Sequence, residues 1–393
     1  MINPLNNNKL KLIIRPGILI LLMIIFILSG QNLNAQKKPA KKESHFEADA
    51  SFATIYDNNI LKYSEKYLDR FMNRQDSGRF HIETYDDIIF YQSADLYATY
   101  KIFKNLKSRF SINYFGNAYL VNNIKNWYTL SAGYQQYITK RASFKIQYNY
   151  IPHFYVRHFR DQDLVDIYGY TPETFVPYSF SKDNYSFWIQ NTFMKNTRVK
   201  LAFDYSVYYY NKHYTEYDSK NYIGGLFLYQ PLSDDIRLDL GYEYEYSDAK
   251  GYDQPGETRE TADDANATFY ENGFLLALNW DLPKLEKIEH SLNARVGYQR
   301  RTYTSDHYIE EDPEHVGRID DNLQVAATYD ISFNKALTLS AFYRFYFRNS
   351  DSKSDINQAY LSEEKDYRQS QVGLQLNFTT DFKCKDQKKS SKK

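Results

Sequence analysis

The sequence predicts an all-β fold: a closed, antiparallel, up-and-down transmembrane β-barrel of about 14 strands. Three observations predict it. Apolar and polar residues alternate along successive segments, the apolar side of these segments carries no charged residue, and short connections alternate with long ones.

Alternation with a period of two indicates a β-strand, because successive side chains of a strand point to opposite faces. Between Ile236 and Tyr246, apolar residues occupy the even positions, whereas Arg237, Asp239 and Glu243 occupy odd positions. The same pattern recurs along the chain. The predicted strands are residues 46–56, 88–102, 110–120, 128–138, 142–150, 185–193, 199–209, 222–230, 236–246, 274–280, 288–298, 323–333, 337–347 and 372–378.

The apolar faces of these strands contain no Asp, Glu, Lys or Arg, although such residues make up 25% of the chain. An Arg or Lys that faces lipid at the bilayer midplane of a barrel costs about 2–4 kcal/mol. A soluble β-sandwich has no comparable reason to keep one face of every strand uncharged. These faces therefore predict contact with lipid. Lipid cannot hydrogen-bond a free strand edge, so the sheet is expected to close on itself.

The composition excludes several other classes of protein. The 49 Lys and Arg residues balance the 49 Asp and Glu residues, so the basic excess of a nucleic-acid-binding protein is missing. A single cysteine, Cys384, rules out a disulfide framework and a cysteine-rich metal site. The 40 Tyr and 26 Phe residues favour strands, because aromatic rings pack well on a pleated surface.

The first 35 residues are typical of a secretory signal peptide. Basic residues precede an uninterrupted apolar run from Ile18 to Leu28, which is shorter than the ~20 residues that a spanning helix needs. Cleavage after Ala35 would leave Gln36 as the mature N-terminus; an uncleaved anchor is the alternative. We expect a flexible basic extension at 36–44, the barrel at 45–382 and a Lys-rich tail at 383–393.

The connections between the predicted strands alternate in length. Short turns are predicted near residues 104–106, 140–141, 195–196, 233–235, 283–285 and 334–335, and long loops at 58–84, 152–183, 211–220, 247–265, 304–318 and 349–366. Only the short link at 122–126 interrupts this alternation. Outer-membrane barrels place short turns in the periplasm and long loops outside. An even number of strands then predicts that both termini are periplasmic.

The last predicted strand ends in the sequence QVGLQLNFTTDF, in which Val372, Leu374, Leu376, Phe378 and Phe382 share one register. This segment is similar to the C-terminal signal that the barrel-assembly machinery recognises. Over its mature length the chain resembles Gram-negative outer-membrane β-barrel proteins of the porin-like class, without a match to one subfamily. The resemblance implies insertion into the outer membrane with help from that machinery, and it implies no particular substrate.

The polar faces of the strands are predicted to line the lumen, where charges of both signs occur. Candidate constriction residues are the bases Arg109, Arg295 and Arg344 and the acids Asp95, Glu243 and Glu245. Bases that face acids across a pore would set a transverse field, as in porin constrictions. The alternative is that these residues pair with one another and seal or solvate the interior.

The loops and the histidines offer weaker signals. The first long loop has an apolar stretch from Leu68 to Phe71, which predicts a helix or a segment that folds into the barrel mouth. Acidic clusters in the long loops suit either Ca²⁺ or a solvated surface, and no metal-ligand spacing is present. The best histidine set for catalysis is His153 and His158 near Asp161 and Asp163, which is too weak to predict an enzyme.

These observations predict a porin-like channel or transporter in the cell outer membrane that passes small hydrophilic solutes passively. The alternative is a non-conducting barrel that contacts a partner or an export apparatus through its outer loops; an outer-membrane enzyme is a third, weaker hypothesis. The expected partners are outer-membrane lipid, lipopolysaccharide and, during biogenesis, the barrel-assembly machinery. No nucleic acid, cofactor or metal is expected, and the sequence leaves the solute and the oligomeric state open.

Overall fold

The computed structural model describes residues 44–76, 78–102, 106–286, 288–352 and 355–384. The predicted signal peptide at 1–35, the basic extension up to residue 43 and the tail from residue 385 lie outside this part of the chain. No helix within the described residues is long and apolar enough to cross a membrane.

Fourteen strands form the barrel. They are β1 (Ser44–Asp57), β2 (Asp87–Lys101), β3 (Lys107–Tyr119), β4 (Trp127–Tyr137), β5 (Ala142–Arg160), β6 (Phe175–Thr192), β7 (Arg198–Tyr210), β8 (Ser219–Pro231), β9 (Ile236–Ala249), β10 (Phe269–Asp281), β11 (Glu289–Tyr303), β12 (Arg318–Asn334), β13 (Leu337–Ser352) and β14 (Tyr367–Cys384). Three short helices lie in the connections: α1 (Glu65–Met72), α2 (Gln162–Tyr168) and α3 (Asp355–Lys365).

The sheet is closed and wholly antiparallel. Each strand pairs with its neighbours in sequence, and β1 pairs with β14 from Ser44 opposite Cys384 to Asp57 opposite Gln371. Closure leaves no strand edge unpaired, which is the condition for a sheet to lie in lipid. The predicted fold class and strand number are confirmed.

The outward face of the barrel is a continuous apolar band. Within the strands, the exposed large apolar side chains follow the predicted lipid-facing parity; Phe52, Leu276 and Leu374, for example, are 55%, 47% and 59% exposed. So much exposed apolar surface would be unfavourable in water, whereas hydrocarbon solvates it. A closed antiparallel barrel with such a band is the architecture of outer-membrane β-barrel proteins.

Polar contacts mark the edge of this band on the side of the long loops. The hydroxyl of Tyr56 donates to Asp86 at 2.9 Å, and the hydroxyl of Tyr298 donates to Asp321 at 2.6 Å. An outward tyrosine suits this level because its ring lies in the apolar zone and its hydroxyl reaches a polar partner. The charged groups on the outer surface thus begin where the lipid zone ends.

Long and short connections segregate to opposite ends of the barrel. The long-loop end carries loop 1 (58–86), loop 2 (120–126), loop 3 (161–174), loop 4 (211–218), loop 5 (250–268), loop 6 (304–317) and loop 7 (353–366). The other end carries the six short turns and both ends of the barrel chain.

The prediction of a long loop over 152–183 is wrong. β5 continues to Arg160 and β6 begins at Phe175, so loop 3 spans only 161–174. The pairing of these two strands contains register shifts between Ile151 and Phe154 and between Tyr155 and Arg157. Each β-bulge moves later residues to the opposite face, which interrupts the simple alternation and hides the strands from a periodicity search.

Candidate functional site

Arg295 and Arg344 lie on the inward face of the barrel, in one cross-strand row. Arg295 pairs with Ala326 of β12, and Ala326 pairs with Arg344 of β13. Neither arginine forms a salt bridge with another described residue, and Arg344 lies over the ring of Phe342 at 4.3 Å. Two cationic groups without a carboxylate partner therefore project from this part of the wall.

Glu243 and Glu245 lie on the same side of the lumen as Arg295. They follow each other on the inward face of β9, two strands from β11, and Glu243 lines the same cavity as Arg295. Glu245 accepts a hydrogen bond from the amide of Asn221 at 2.6 Å. The β9–β13 wall thus carries both signs of charge next to each other.

Arg109 and Asp95 belong to a different wall, formed by β1 to β5. Arg109 pairs with Glu47 at 3.1 Å and lies 3.8 Å from the ring centroid of Tyr97. Asp95 accepts a hydrogen bond from Asn113 at 2.5 Å. The structure therefore brings Arg295 together with Glu243, and it places Arg109 beside an acid of its own wall.

Loop 1 folds into the barrel mouth, as the sequence analysis predicted. Its residues Ile60, Leu61, Tyr63 and Tyr67 are buried in one apolar cluster with inward residues of the wall. The wall side of this cluster consists of Ala53, Ile55, Ile89, Tyr119, Tyr155 and Phe342. Apolar residues on a lumen face are unfavourable in contact with water, so their presence here is explained by the loop that covers them.

A buried polar contact fixes loop 1 to the wall. The side-chain amide of Asn59 donates to the carbonyls of Tyr63, at 2.8 Å, and Arg368, at 3.0 Å, and its oxygen accepts from the backbone N–H of Tyr63. Next to it, Asp57 accepts from Gln369 and Gln371 on β14, at 2.7 and 2.8 Å. Because these groups are buried, losing one partner would leave the others unsatisfied.

Lys62 projects from loop 1 into the remaining lumen. Its backbone adopts the left-handed conformation, with φ of 53°, which is uncommon for a residue other than glycine. Its ammonium group lies 5.3 Å from the ring centroid of Tyr346 and 5.7 Å from that of Tyr367. Such backbone strain persists only where the surroundings hold the residue in place. Here the chain neighbours of Lys62, Leu61 and Tyr63, are both buried in the apolar cluster.

Two cavities lie beside loop 1. The larger one, of about 670 Å³, lies towards the long-loop end, and the smaller one, of about 280 Å³, lies along β9 to β13. Both are lined by Lys62, Arg301, Tyr346, Arg348 and Tyr367, so they are adjoining parts of one lumen space. We call the larger cavity the chamber.

Contacts between loops close the long-loop end. Lys66 of loop 1 pairs with Glu364 of loop 7 at 2.7 Å, and Lys365 of loop 7 pairs with Glu314 of loop 6 at 2.6 Å. Burial opposes ionisation of Glu314, but Lys365 and neighbouring cations outweigh this effect and lower its pKa to about 2. The link between loops 6 and 7 is therefore charged throughout the physiological pH range.

Further contacts join loops 6, 5, 4 and 3 in that order, and loop 3 also contacts loop 1. Asp312 of loop 6 accepts from the backbone N–H of Asn266 in loop 5, and the N–H of Gly251 in loop 5 donates to the carbonyl of Glu216 in loop 4. His213 of loop 4 contacts Asp161 of loop 3 at 2.7 Å. Gly78 of loop 1 then packs against Pro172 of loop 3, where a Cβ would lie only 2.5 Å from the proline backbone. We call this set of linked loops, namely loops 1, 7, 6, 5, 4 and 3, the loop cap.

The weak histidine set from the sequence is not assembled. His158 stacks on His81 at 3.6 Å and its Nδ1 lies 2.8 Å from the Tyr155 hydroxyl, whereas Asp161 contacts His213. Among the described residues, one group of carboxylates, Asp253, Glu257 and Asp264, has oxygens within 4.8 Å of one another. Proximity of acids alone assigns no ion to this group.

Sequence reasoning missed several cations that line the chamber, among them Lys62, Lys125 and Arg157. Lys62 and Lys125 lie in loops, where no periodicity shows which side chains turn inward. Arg157 follows the bulges of β5, where alternation has already shifted. No pattern in the sequence alone marks these positions.

Comparison with known proteins gives loose structural likenesses. No protein-family model matches the sequence, and no curated protein matches it. The structure is similar to the outer membrane channel DcaP of Acinetobacter baumannii, with 9% identity and a TM-score of 0.43 over 88% of this chain and 100% of that one. An outer membrane channel from Pseudomonas putida F1 is 8% identical, with a TM-score of 0.41 over 88% of this chain and 98% of that one. A Pseudomonas aeruginosa FadL homologue is 11% identical, with a TM-score of 0.40 over 87% of this chain and 90% of that one.

Proposed function

We propose that this barrel is an outer-membrane channel that passes small hydrophilic solutes passively through its polar lumen. The observation that carries the proposal is the space beside loop 1, where two adjoining cavities are lined largely by charged groups and tyrosines. A purely structural barrel would gain stability from a filled interior, since packed side chains replace empty or hydrated space. The lumen of this barrel instead keeps a hydrated space.

Loop 1 and the loop cap are the elements that would control passage. Loop 1 packs against β1 to β5 and β13, so the route for a solute runs between this loop and the wall formed by β7 to β14. The contacts of the loop cap lie across the entrance to that route. Local opening of these loops needs the loss of the cap contacts, several of which are buried, whereas the barrel wall remains intact.

The candidate constriction residues would set ion selectivity in this proposal. Arg295 and Arg344 form no salt bridge with another described residue, so their potential extends into the lumen, while Arg109 is paired with Glu47. The acids Asp95, Glu243 and Glu245 would supply the opposite sign of the field. A passive channel of this kind needs no catalytic residue, and the non-enzymatic prediction belongs to the same proposal.

The same proposal assigns the orientation of the barrel in the membrane and its partners. Both ends of the barrel chain lie at the short-turn end, which we assign to the periplasm, and the long loops then face outward. The rim beside these loops would contact lipopolysaccharide, and the last strand would be read by the barrel-assembly machinery during insertion.

One observation favours a second candidate, a non-conducting barrel that acts through its outer surface. Ion pairs and hydrogen bonds of the loop cap link six loops, and Asn122 of loop 2 hydrogen-bonds to loop 1, so all seven loops are connected, which is more order than an open entrance requires. In that case the cap would be a stable surface for a partner, and the chamber would remain closed.

Single-channel recording separates these two functions. Purified protein added to a planar lipid bilayer is expected to give discrete conductance steps, because ions can follow the hydrated space beside loop 1. A barrel that inserts, as shown by protease protection of its membrane part, yet stays silent over a wide voltage range would contradict the channel and support the surface role.

A further inference from the structure

The chamber contains more positive charge than its carboxylates neutralise. Lys62, Lys125 and Arg157 all line it, and none of the three forms a salt bridge with another described residue. Instead, Lys125 donates to the carbonyls of Tyr155 and Val156 at 3.1 and 3.4 Å. Carbonyl oxygens satisfy the N–H groups but do not cancel the charge, so the three residues form a cationic site. We call it the loop-1 cation site.

The three cations are held close together by the fold. Arg157 donates to the carbonyl of Leu61, the residue before Lys62, and its guanidinium lies 5.2 Å from the ring centroid of Tyr63. Lys125 is only 6% exposed, and its charge interacts with those of both Arg157 and Lys62. Burial, followed by these two like charges, lowers the pKa of Lys125 to about 7. Asp57 opposes this shift only at a distance, so among the described residues the site has no counter-charge in contact with it.

The nearest carboxylate does not supply it. Asp57 is 2% exposed, and its oxygens accept hydrogen bonds from the N–H of Asn59 and from the amides of Gln369 and Gln371. It lies within 4.0 Å of no basic group among the described residues. Asp57 thus holds loop 1 against β14, and the cost of burying Lys125 without an ion-pair partner remains.

The opposite side of the chamber is rich in tyrosine. Tyr208, Tyr210 and Tyr217 line it, and Tyr178 packs on Tyr210 with ring centroids 5.0 Å apart. Tyrosine offers a flat apolar ring together with a hydroxyl that hydrogen-bonds, so such a wall suits a ring-shaped body that carries hydroxyl groups. The chamber volume of about 670 Å³ lies in the range of small-molecule sites.

We propose that the chamber binds a small sugar acid, with its carboxylate at the loop-1 cation site and its hydroxylated ring on the tyrosine wall. Arg157 and Lys62 supply charged donors for the carboxylate, and charge-assisted hydrogen bonds of this kind are stronger than neutral ones. Lys125 adds long-range attraction in its protonated form, which a bound carboxylate would favour. This inference rests on the proposed function, because it names the class of solute that the channel would carry.

The test is calorimetric titration of the detergent-solubilised full chain with glucuronate, and with glucose as the neutral match. We expect glucuronate to bind and glucose to bind at least about tenfold more weakly, because only glucuronate neutralises the site. Glucose 6-phosphate, titrated in parallel, decides which anionic group is preferred: stronger binding of the phosphate than of the carboxylate would overturn the choice of a sugar acid.

The variant Lys62→Gln/Arg157→Gln should weaken glucuronate binding at least about tenfold and leave the weak binding of glucose unchanged. Lys145→Gln is the matched control, since Lys145 is an inward cation of the same barrel that does not line the chamber. Absence of glucuronate binding, equal binding of glucose, or an unaffected double variant would overturn the inference. Because binding is measured without conduction, a failed binding site is distinguishable from a failed channel.

Discussion

Deleting the part of loop 1 that occupies the lumen is expected to raise the single-channel conductance several-fold. The change replaces residues 59–84 by a short Gly-Ser linker. Loop 1 fills the mouth on the side of β1 to β5, so in the proposed channel ions would pass only through the space that it leaves. Removing it widens the narrowest section, while the strands and their pairing stay unchanged. Single-channel recording in a planar bilayer measures the effect.

Two controls accompany the loop 1 deletion. Shortening loop 3 within α2, with the cap residues Asp161 and Pro172 kept, removes a segment whose Ile167 and Tyr168 are 70% and 68% exposed, so this change should leave conductance as it is. Asn59→Ala removes only the side chain that fixes loop 1, and it should make the steps noisier through repeated opening. A loop 1 deletion that folds, as shown by a β-type circular dichroism spectrum, and conducts like the intact protein would exclude loop 1 as the constriction.

Reversing the charge of both unpaired arginines, by Arg295→Glu/Arg344→Glu, is expected to shift the channel strongly towards cations. Each substitution exchanges a positive for a negative charge, and neither arginine forms a salt bridge with a described residue, so the sign of the local potential should invert. The measurement is the reversal potential across a KCl gradient.

The charge-conserving variant Arg295→Lys/Arg344→Lys is the control for the charge reversal, and it should keep the selectivity of the original chain. Arg109→Gln provides a second comparison, because Arg109 is paired with Glu47 and its loss should move the reversal potential less. Equal reversal potentials in the original and charge-reversed channels would remove Arg295 and Arg344 from any role in selectivity.

The barrel could be predicted from the sequence because lipid imposes one simple rule on every strand. A charge at Phe52, Leu276 or Leu374 would face hydrocarbon, so alternation is kept along the whole membrane zone and can be counted. Beyond that zone the rule no longer applies. The ends of β5 and β6 rise above the lipid and contain bulges, and there the sequence analysis predicted a loop.

The candidate site was only partly predictable for a related reason. Arg295 and Glu243 follow strand parity, so their inward direction could be predicted. Lys62 depends on the path of loop 1, which is determined by long-range contacts such as that of Asn59 with Arg368. Nothing local in the sequence specifies a contact between residues so far apart in the chain.

The central claim is that one face of each strand meets lipid while the other meets a water-filled lumen. Cysteine labelling in proteoliposomes tests it most directly, after Cys384, the only cysteine, is replaced by Ser. Gln299 of β11 faces the lumen and lines the smaller cavity, whereas Val296 on the same strand is 39% exposed on the outer face. A water-soluble, membrane-impermeant maleimide should label Gln299→Cys rapidly and leave Val296→Cys unlabelled. Equal labelling of the two positions, or labelling of Val296→Cys alone, would contradict the account.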